Sequence, residues 1–193
     1  MSKLAMILVL LMMVSDSGAA ASGLLIDDFA RDDGVSRLGT RWRVVTDQVM
    51  GGVSGASMAL QVVDGRRALC LSGDVSLANN GGFVQMNLDL ASSGVMDASA
   101  FDGVRLVVRG NSEIYNLHLK TAATTMPWQS YRAEFAAGPR WRELRLPFAD
   151  FVPHRLVPAL DVSRLRRLGI VAIGRAMRAD VCVAEVGLYA AAR

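Results

Sequence analysis

The sequence predicts an all-β protein, built as an antiparallel β-sandwich or jelly roll. About eleven short segments alternate apolar and polar residues, as strands with one buried face do. No segment repeats its apolar residues with the 3.6-residue period of a long helix. Glycine, asparagine, aspartate and serine cluster between the segments, where they form turns. Because no linker or internal repeat interrupts this pattern, residues 22–193 are predicted to form a single domain.

The strand candidates follow one another at short intervals. In chain order they are residues 24–29, 42–46, 56–63, 66–72, 83–90, 103–109, 115–121, 129–135, 141–148, 168–173 and 181–189. The third and fourth candidates form the clearest pair, because Asp64 and Gly65 between them suit a two-residue type I′ turn, which needs positive φ at both positions. Short helical turns are predicted after Pro147 and over 161–166, with Ser163 as the N-cap.

The first 21 residues have the order of a secretory signal peptide. A single cation, Lys3, precedes the apolar run 4–14, and alanines at 19–21 offer a small-residue cleavage site before Ser22. This apolar run is shorter than the roughly 20 residues that span a bilayer. The sequence therefore predicts cleavage of residues 1–21 and a periplasmic or secreted mature protein.

Charge and cysteine content restrict the possible functions. The formal net charge is +3, and the cations are mostly single arginines, whereas nucleic-acid-binding proteins concentrate cations on one face. A nucleic-acid partner is therefore not expected. Cys70 and Cys182 both lie in strand candidates. An exported protein with two cysteines can form one disulfide, but the spacing does not establish that their Cα atoms meet, so the pairing stays open.

Two glycine motifs, residues 47–55 and 77–83, are predicted to build one tight corner, here called the glycine corner. Glycine permits positive φ and close approach of other groups. Asp47 and Ser54 suit hydrogen bonds to turn backbone, and the two asparagines tolerate the left-handed region. This structural role is one interpretation, and a ligand or partner site is the other. The candidate binding residues are Asp47, Gly51, Gly52, Ser54, Asn79, Asn80 and Gly82.

A polar sheet face is the second candidate site, provided that its strands are neighbours. Its members are Arg105, Arg109, Asn116, His118, Lys120, Arg132, Glu134, Trp141, Glu143 and Arg145. This mixture of charge and an aromatic ring suits a carbohydrate or an anionic peptide, and a plain solvated face is the alternative. Trp128 is predicted to lie on a loop, where aromatic side chains favour binding, and Tyr131 nearby is either part of this grip or part of the core.

The sequence contains no recognisable catalytic motif. His118 and His154 lie in unrelated contexts, without the spacing of a zinc site. The nucleophile elbow, the P-loop and the dinucleotide-binding motif are also absent. We therefore predict that the protein is not an enzyme and uses no cofactor or metal ion. Calcium remains a weaker alternative, with hard oxygen ligands from Asp27, Asp28 and Glu185.

These motifs together resemble the complex I intermediate-associated protein 30 family. The segments that carry the resemblance are Trp42 with 47–54, then 71–83, 101–110 with Tyr115, 141–151 and 168–170. The resemblance extends from about Leu25 to Tyr189. It implies a galactose-binding-domain-like β-sandwich and, from mitochondrial relatives, a chaperone-like role in assembling respiratory complex I. Residues 110–114 depart from the Gly-Asp-Gly that is common in the family.

The sequence thus predicts a non-catalytic, exported binding module. The first hypothesis is a protein-interaction or assembly factor that uses the glycine corner, with a respiratory membrane complex as partner and peripheral contact with the membrane. The second hypothesis is a carbohydrate-binding module of the cell envelope, with a glycan as ligand. Loss of binding in Asn80→Ala favours the corner, whereas loss in Trp141→Ala or His118→Ala favours the sheet face. The oligomeric state is left open.

Overall fold

The computed structural model describes residues 23–191. Within them, twelve strands form two antiparallel sheets that pack against each other. The strands are β1 Gly23–Asp27, β2 Arg43–Thr46, β3 Gly55–Val63, β4 Arg66–Val75, β5 Phe83–Asp89, β6 Gly103–Gly110, β7 Glu113–Thr121, β8 Ser130–Ala137, β9 Arg142–Pro147, β10 Val152–His154, β11 Leu165–Ile173 and β12 Met177–Tyr189. The prediction of an all-β antiparallel sandwich is confirmed.

The order of strands differs from their order in the chain. Sheet 1 has the order β3, β4, β12, β6, β9, and β1 pairs with the C-terminal part of β12. Sheet 2 has the order β10, β8, β7, β11, β5, β2. The register of β12 with β6 shifts between Val183 and Glu185, where the other edge of β12 changes partner from β4 to β1. Such an irregularity increases the local twist of a strand.

One hydrophobic core joins the two sheets. Along the strands, alternate residues point into this core. Leu71 on β4 and Met86 on β5 are two of them, and both are fully buried. Burial of a large apolar side chain stabilises the fold by about 1.5–3 kcal/mol. Tyr115 is also fully buried, and its hydroxyl donates to Asn111 Oδ1 at 2.7 Å and accepts from the backbone N–H of Asp180 at 2.9 Å. The core therefore buries this phenol without an unsatisfied hydroxyl.

The hairpin predicted between β3 and β4 is present. Asp64 and Gly65 have φ of 47° and 71°, as a type I′ turn requires. The sequence analysis did not predict one strand, β10. It has three residues, includes Pro153, and pairs only with β8 at the edge of sheet 2. Such a segment is too short for an alternating pattern, and proline is tolerated at a sheet edge.

Both predicted helical turns are 3₁₀ turns, Phe148–Asp150 and Val162–Arg164. The predicted cap of the second turn was wrong. Asp161 is the N-cap, and its Oδ1 accepts from the backbone N–H of Ser163 at 3.1 Å. Asp161 caps the turn because it lies two residues before Ser163, and a cap accepts from N–H groups two or three residues ahead of it.

A disulfide joins Cys70 on β4 to Cys182 on β12, which are directly opposite each other. It lies in a small apolar cluster on the outer face of sheet 1, together with Ala68, Val107 and Ala184. Trp141 covers this cluster, and its Nε1 donates to the carbonyl of Val63 at 3.1 Å. The strands β3 and β9 lie at opposite edges of sheet 1. Because Val63 at the end of β3 contacts Trp141 beside β9, the end of β3 lies over the outer face of sheet 1.

The predicted signal peptide, residues 1–21, lies outside the described residues. Among residues 23–191, no helix is long and apolar enough to cross a membrane.

Candidate functional site

A buried carboxylate holds the glycine corner together. Asp47 is fully buried and begins the 3₁₀ turn Asp47–Met50. Its oxygens accept from the backbone N–H of Ser54 at 2.9 Å, Gly82 at 2.6 Å and Phe83 at 3.3 Å, and also from the Ser54 hydroxyl. Ser54 belongs to the first motif and Gly82 to the second. The two motifs therefore meet at Asp47, as the prediction of a shared corner requires.

The glycines of the corner leave room for this carboxylate. A Cβ atom on Gly52 or Gly81 would overlap the carboxylate of Asp47. Gly51 and Gly82 have φ of 89° and 132°, where other residues are strained. These positions need glycine for close approach or for backbone conformation.

The hydrogen bonds decide the charge of Asp47. Burial raises the pKa of this carboxyl, but donation from Ser54, Gly82 and Phe83 outweighs burial and holds its pKa below the ordinary value. The carboxylate is therefore ionised at neutral pH. An ionised acceptor makes stronger hydrogen bonds than a neutral one, which favours a rigid corner.

The surface of the glycine corner carries four exposed apolar side chains. Val49, Met50, Val53 and Leu77 are 72%, 54%, 51% and 53% exposed. Asn79 and Asn80 are exposed beside them, with φ of 57° and 58°, in the left-handed region that asparagine tolerates. Among the predicted residues, Asp47, Gly52, Ser54 and Gly82 thus support the corner from within, and the asparagines lie at its surface. The exposed apolar side chains belong to the motif sequences but were not predicted as candidates.

The predicted polar face is divided between the two sheets. Arg105, Arg109, Trp141, Glu143 and Arg145 lie on or next to β6 and β9, in sheet 1. Asn116, His118, Lys120, Arg132 and Glu134 lie on β7 and β8, in sheet 2. The condition that these strands are neighbours is therefore wrong. Alternation has the same period in every half-buried strand, so it does not distinguish the two sheets.

The charges on the outer face of sheet 1 are paired with one another. Arg105 binds Glu185 at 2.7 Å and Glu143 at 3.3 Å. Arg145 binds Glu143 at 3.1 Å, and Arg109 binds Asp64 at 2.7 Å. Trp141 lies over the disulfide cluster, as described above. This predicted binding residue therefore has a packing role in the structure.

The outer face of sheet 2 carries a row of residues that runs across all six strands, beginning with Arg43 on β2, which is opposite Asn87 on β5. Asn87 on β5 is opposite Gly169 on β11, Gly169 is opposite His118 on β7, and His118 is opposite Arg132 on β8. Arg132 is in turn opposite Val152 on β10. A Cβ atom on Gly169 would overlap Asn87 Oδ1, so the amide lies over the glycine. Sequence reasoning missed Asn87 and Gly169, although Asn87 occupies a polar position of an alternating strand.

Cations dominate the part of this face around His118. Lys120 Nζ donates to the carbonyl of Pro127 at 2.6 Å, and Arg132 Nε donates to Ser130 Oγ at 3.0 Å. Neither Lys120 nor Arg132 nor Arg155 has a carboxylate within 4.0 Å among residues 23–191. Burial lowers the pKa of Lys120, and the charges of Arg167 and Arg132 lower it further.

His118 is a buried imidazole in this cationic surrounding. It is 9% exposed, and its Nε2 has no hydrogen-bond partner in the described part of the chain. Burial lowers the pKa of His118 to about 3, and the nearby charges of Arg132, Lys120 and His154 act in the same direction. The imidazole is therefore neutral at physiological pH, and a neutral ring offers one donor and one acceptor.

Trp128 lies on the loop between β7 and β8, as predicted, and is 46% exposed. The hydrogen bond from Lys120 to Pro127 holds this loop beside the outer face of sheet 2. Tyr131 is fully buried, and its hydroxyl lies 3.1 Å from the carbonyl of Pro158. Of the two interpretations of Tyr131, the structure supports the core residue.

The carboxylates considered for calcium bind protein groups instead. Asp27 accepts from the backbone N–H of Phe29 at 3.0 Å and from Trp42 Nε1 at 2.8 Å. Asp28 pairs with Arg37, and Glu185 pairs with Arg105. Across the range that the structure describes, no three His, Cys, Asp or Glu side chains gather as a metal site.

The two packed sheets define a galactose-binding-like β-sandwich, a fold that carbohydrate-binding modules also adopt. The family 11 carbohydrate-binding module of a Clostridium thermocellum cellulosomal cellulase superposes with a TM-score of 0.69 at 13% identity, covering 90% of this chain and 97% of that one. A family 11 carbohydrate-binding module from Clostridium thermocellum in complex with a β-1,3-1,4-mixed-linked tetrasaccharide has a TM-score of 0.66 at 13% identity, covering 90% of this chain and 98% of that one. A family 30 carbohydrate-binding module has a TM-score of 0.54 at 12% identity, covering 74% and 76%.

Family membership follows from the sequence. The family described as Complex I intermediate-associated protein 30 (CIA30) matches residues 28–180. This protein belongs to that family, which confirms the resemblance found in the glycine motifs. None of the curated proteins matches the chain significantly.

Proposed function

We propose that this protein is a non-catalytic binding module and that its glycine corner binds a protein partner. The observation that carries the proposal is the set of four exposed apolar side chains, Val49, Met50, Val53 and Leu77, on loops fixed by buried Asp47. Exposed apolar groups gathered on one surface mark interaction sites, because their burial gains about 25 cal/mol per Å². A rigid corner loses little conformational freedom on binding, which favours affinity.

The family suggests which partner to test. Its description names an intermediate of complex I, so we propose a respiratory membrane complex under assembly as the partner. We further propose that the protein is exported and meets the outward face of that complex. The Cys70–Cys182 disulfide supports export, because disulfides persist in oxidising compartments. The signal-peptide pattern of residues 1–21 supports it independently.

The test compares two variants in the native cell envelope. Val49→Ser with Leu77→Ser removes apolar surface from the corner. Val62→Ser is the matched control, because Val62 is 73% exposed and lies on β3 outside the corner. After mild cross-linking and co-purification, we expect respiratory-complex subunits with the wild type and the control, and a loss of about tenfold or more with the corner variant. Recovery of the protein without such subunits, or equal recovery from all three, would contradict the proposal.

Carbohydrate binding by the outer face of sheet 2 is a second candidate function. The observation that favours it is the row of Asn87, His118 and Arg132 on this outer face, in which the Asn87 amide lies over Gly169. Amide and imidazole groups can donate to and accept from sugar hydroxyls. The fold is shared with a carbohydrate-binding module that was solved with a tetrasaccharide. Loss of glycan binding in Asn87→Ala but not in Asn80→Ala would assign the sugar to sheet 2.

A further inference from the structure

We propose that the outer face of sheet 2 binds an anionic saccharide, whose acidic group lies between Lys120 and Arg132. The inference rests on the second candidate function, carbohydrate binding by this face, and names the class of sugar. It requires a carboxylate or sulfate group on the sugar, since both carry the same charge and accept the same hydrogen bonds.

The first reason to expect an anionic ligand is the arrangement of charges on this face. Lys120 on β7, Arg132 on β8 and Arg155 just after β10 place three cations at one end of the face. None of these cations has a carboxylate within 4.0 Å in the part of the chain that the structure describes. Lys120 and Arg132 are half-buried, and a partly dehydrated cation gains most from an ionised partner.

The carboxylates of the same face do not supply that partner. Asp89 on β5 already binds Arg43 and Arg167, the latter at 2.7 Å. Glu134 lies on β8 two residues from Arg132, but its side chain is exposed and forms no ion pair within the described range. Within the described residues, Lys120 and Arg132 therefore have neutral hydrogen-bond acceptors but no ionised partner. An anion from outside fits this arrangement by charge complementarity.

The second reason, which favours a saccharide, is the set of polar groups beside these cations. Gln85, Asn87 and Asn116 lie on the same face as His118, on β5 and β7. Amide side chains present both donors and an acceptor, which suits hydroxyl groups on either side of an acidic group. His118 Nε2 is a further buried polar atom without a partner in the described structure. Hydroxyl-binding groups beside cations match a sugar acid better than a simple ion.

The position of the face within the sheet argues against a peptide. Extended peptides commonly bind by adding a strand to a sheet edge, where backbone groups are free. Lys120 and Arg132 lie on β7 and β8, which are interior strands of sheet 2 paired on both sides, so their backbone groups are not free. A ligand on this face must therefore be recognised by side chains. An acidic peptide remains as an outcome that the experiment distinguishes.

The test is calorimetric titration of the mature protein with three defined probes at low salt in the presence of a chelator. The probes are a galacturonate tetrasaccharide, its neutral methyl ester and a sulfated tetrasaccharide. We expect at least one acidic probe to bind, and the methyl ester to bind about tenfold more weakly or not at all. Binding should weaken as the salt concentration rises.

Three variants locate the site. Arg132→Gln and Lys120→Gln should each weaken binding of the acidic probe about tenfold. Arg140→Gln removes the same charge from an exposed residue between β8 and β9, and should change affinity by less than about twofold. Circular dichroism on each variant confirms that it is folded. An effect of Arg140→Gln equal to that of Arg132→Gln would overturn the assignment.

The outcomes separate this inference from the function on which it rests. Equal binding of galacturonate and its methyl ester would overturn the anionic assignment and leave carbohydrate binding intact. Binding of a hexaglutamate peptide, sensitive to Arg132→Gln, without binding of any saccharide would show that the face serves an acidic peptide and contradict both. Absence of binding for every saccharide probe would also contradict both.

Discussion

Two buried polar residues of this protein, Asp47 and His118, differ in whether the surrounding protein supplies their hydrogen-bond partners. Asp47 accepts four hydrogen bonds, which keep it ionised and join the two glycine motifs. His118 has a buried Nε2 with no partner in the described residues, and cations surround it. The first pattern is typical of a structural residue. Unsatisfied buried polar atoms are rare and concentrate at functional positions, so the second pattern draws attention to the outer face of sheet 2.

The close approach of Gly52 to the Asp47 carboxylate predicts that adding a methyl group at residue 52 lowers stability. Gly52→Ala should lower the free energy of unfolding by about 1–3 kcal/mol, because its Cβ would overlap the Asp47 carboxylate. Gly55→Ala is the matched control, since a Cβ there meets nothing within 4 Å, and it should change stability by less than about 0.5 kcal/mol. Urea denaturation measures both. Similar values for the two variants would contradict the close approach at Gly52.

The low pKa of His118 predicts how stability depends on pH. Its pKa is about 3 in the folded protein and 6.5 for a free side chain. Below pH 6.5 the unfolded chain therefore binds a proton that the folded protein does not. The contribution of His118 is complete above pH 6.5 and is lost progressively as the pH falls towards 3, by about 1.4 kcal/mol per pH unit.

This dependence is measurable by denaturation at pH 7 and pH 5. The stability of the wild type should fall by about 2 kcal/mol more between these values than that of His118→Gln, which does not titrate. The carboxylates titrate in both proteins, so their contribution to the pH dependence of stability cancels in this comparison. An equal fall in both proteins would mean that His118 is protonated in the fold despite Arg132, Lys120 and His154.

At the scale of elements, β12 organises sheet 1. It pairs with β6 along one edge and with β4 and β1 in succession along the other. The disulfide ties β12 to β4 where these strands are opposite. The Trp141 contact then brings the end of β3 over the same region. These links stiffen the outer face of sheet 1, whose charges are already paired among themselves.

The disulfide should contribute strongly to stability. It connects residues 112 positions apart, and the constraint it places on the unfolded chain grows with that separation. The double variant Cys70→Ala with Cys182→Ala should be less stable by about 3–5 kcal/mol in thermal or chemical denaturation. A reductant should destabilise the wild type to a similar level and leave the variant unchanged. A wild type insensitive to reductant would contradict the prediction.

At the scale of the whole molecule, both sheets contribute to one core. The two candidate surfaces lie at different places on this common frame, the glycine corner on the loops before β3 and β5, and the cationic end of sheet 2 around β7, β8 and β10. A single frame can therefore present a protein-binding corner and a polar ligand face. Substitutions in one surface are expected to leave the other intact, because distant sites usually act additively.

The shared core predicts cooperative unfolding of residues 22–193 as one domain. Thermal transitions followed by far-ultraviolet circular dichroism and by tryptophan fluorescence should have the same midpoint, because neither sheet buries its inner face without the other. Trp42, buried in the core, and Trp141, on the outer face of sheet 1, report from different layers. Separate midpoints would show that the sheets unfold independently, and would contradict the proposal of one domain.

The sequence predicted the local features of the candidate sites better than their assembly. The contact between the two glycine motifs followed from their shared need for tight turns, and Asp47 was correctly expected to bind turn backbone. The exposed apolar residues of the corner were not noticed, because nothing local marks Val49 or Leu77 as uncovered. The polar face was assembled from strands of two sheets, and its true row includes Asn87 and Gly169.

By itself, the sequence determined the strands other than β10, the β3–β4 hairpin and the family, because alternation and turn chemistry are properties of a few adjacent residues. Only the tertiary structure decided which strands share a sheet, that Cys70 lies opposite Cys182, and that His118 lies among cations. Strand pairing and burial depend on contacts between residues far apart in the chain. A two-residue period is identical on both sheets, so it carries no information about which partner each strand will have.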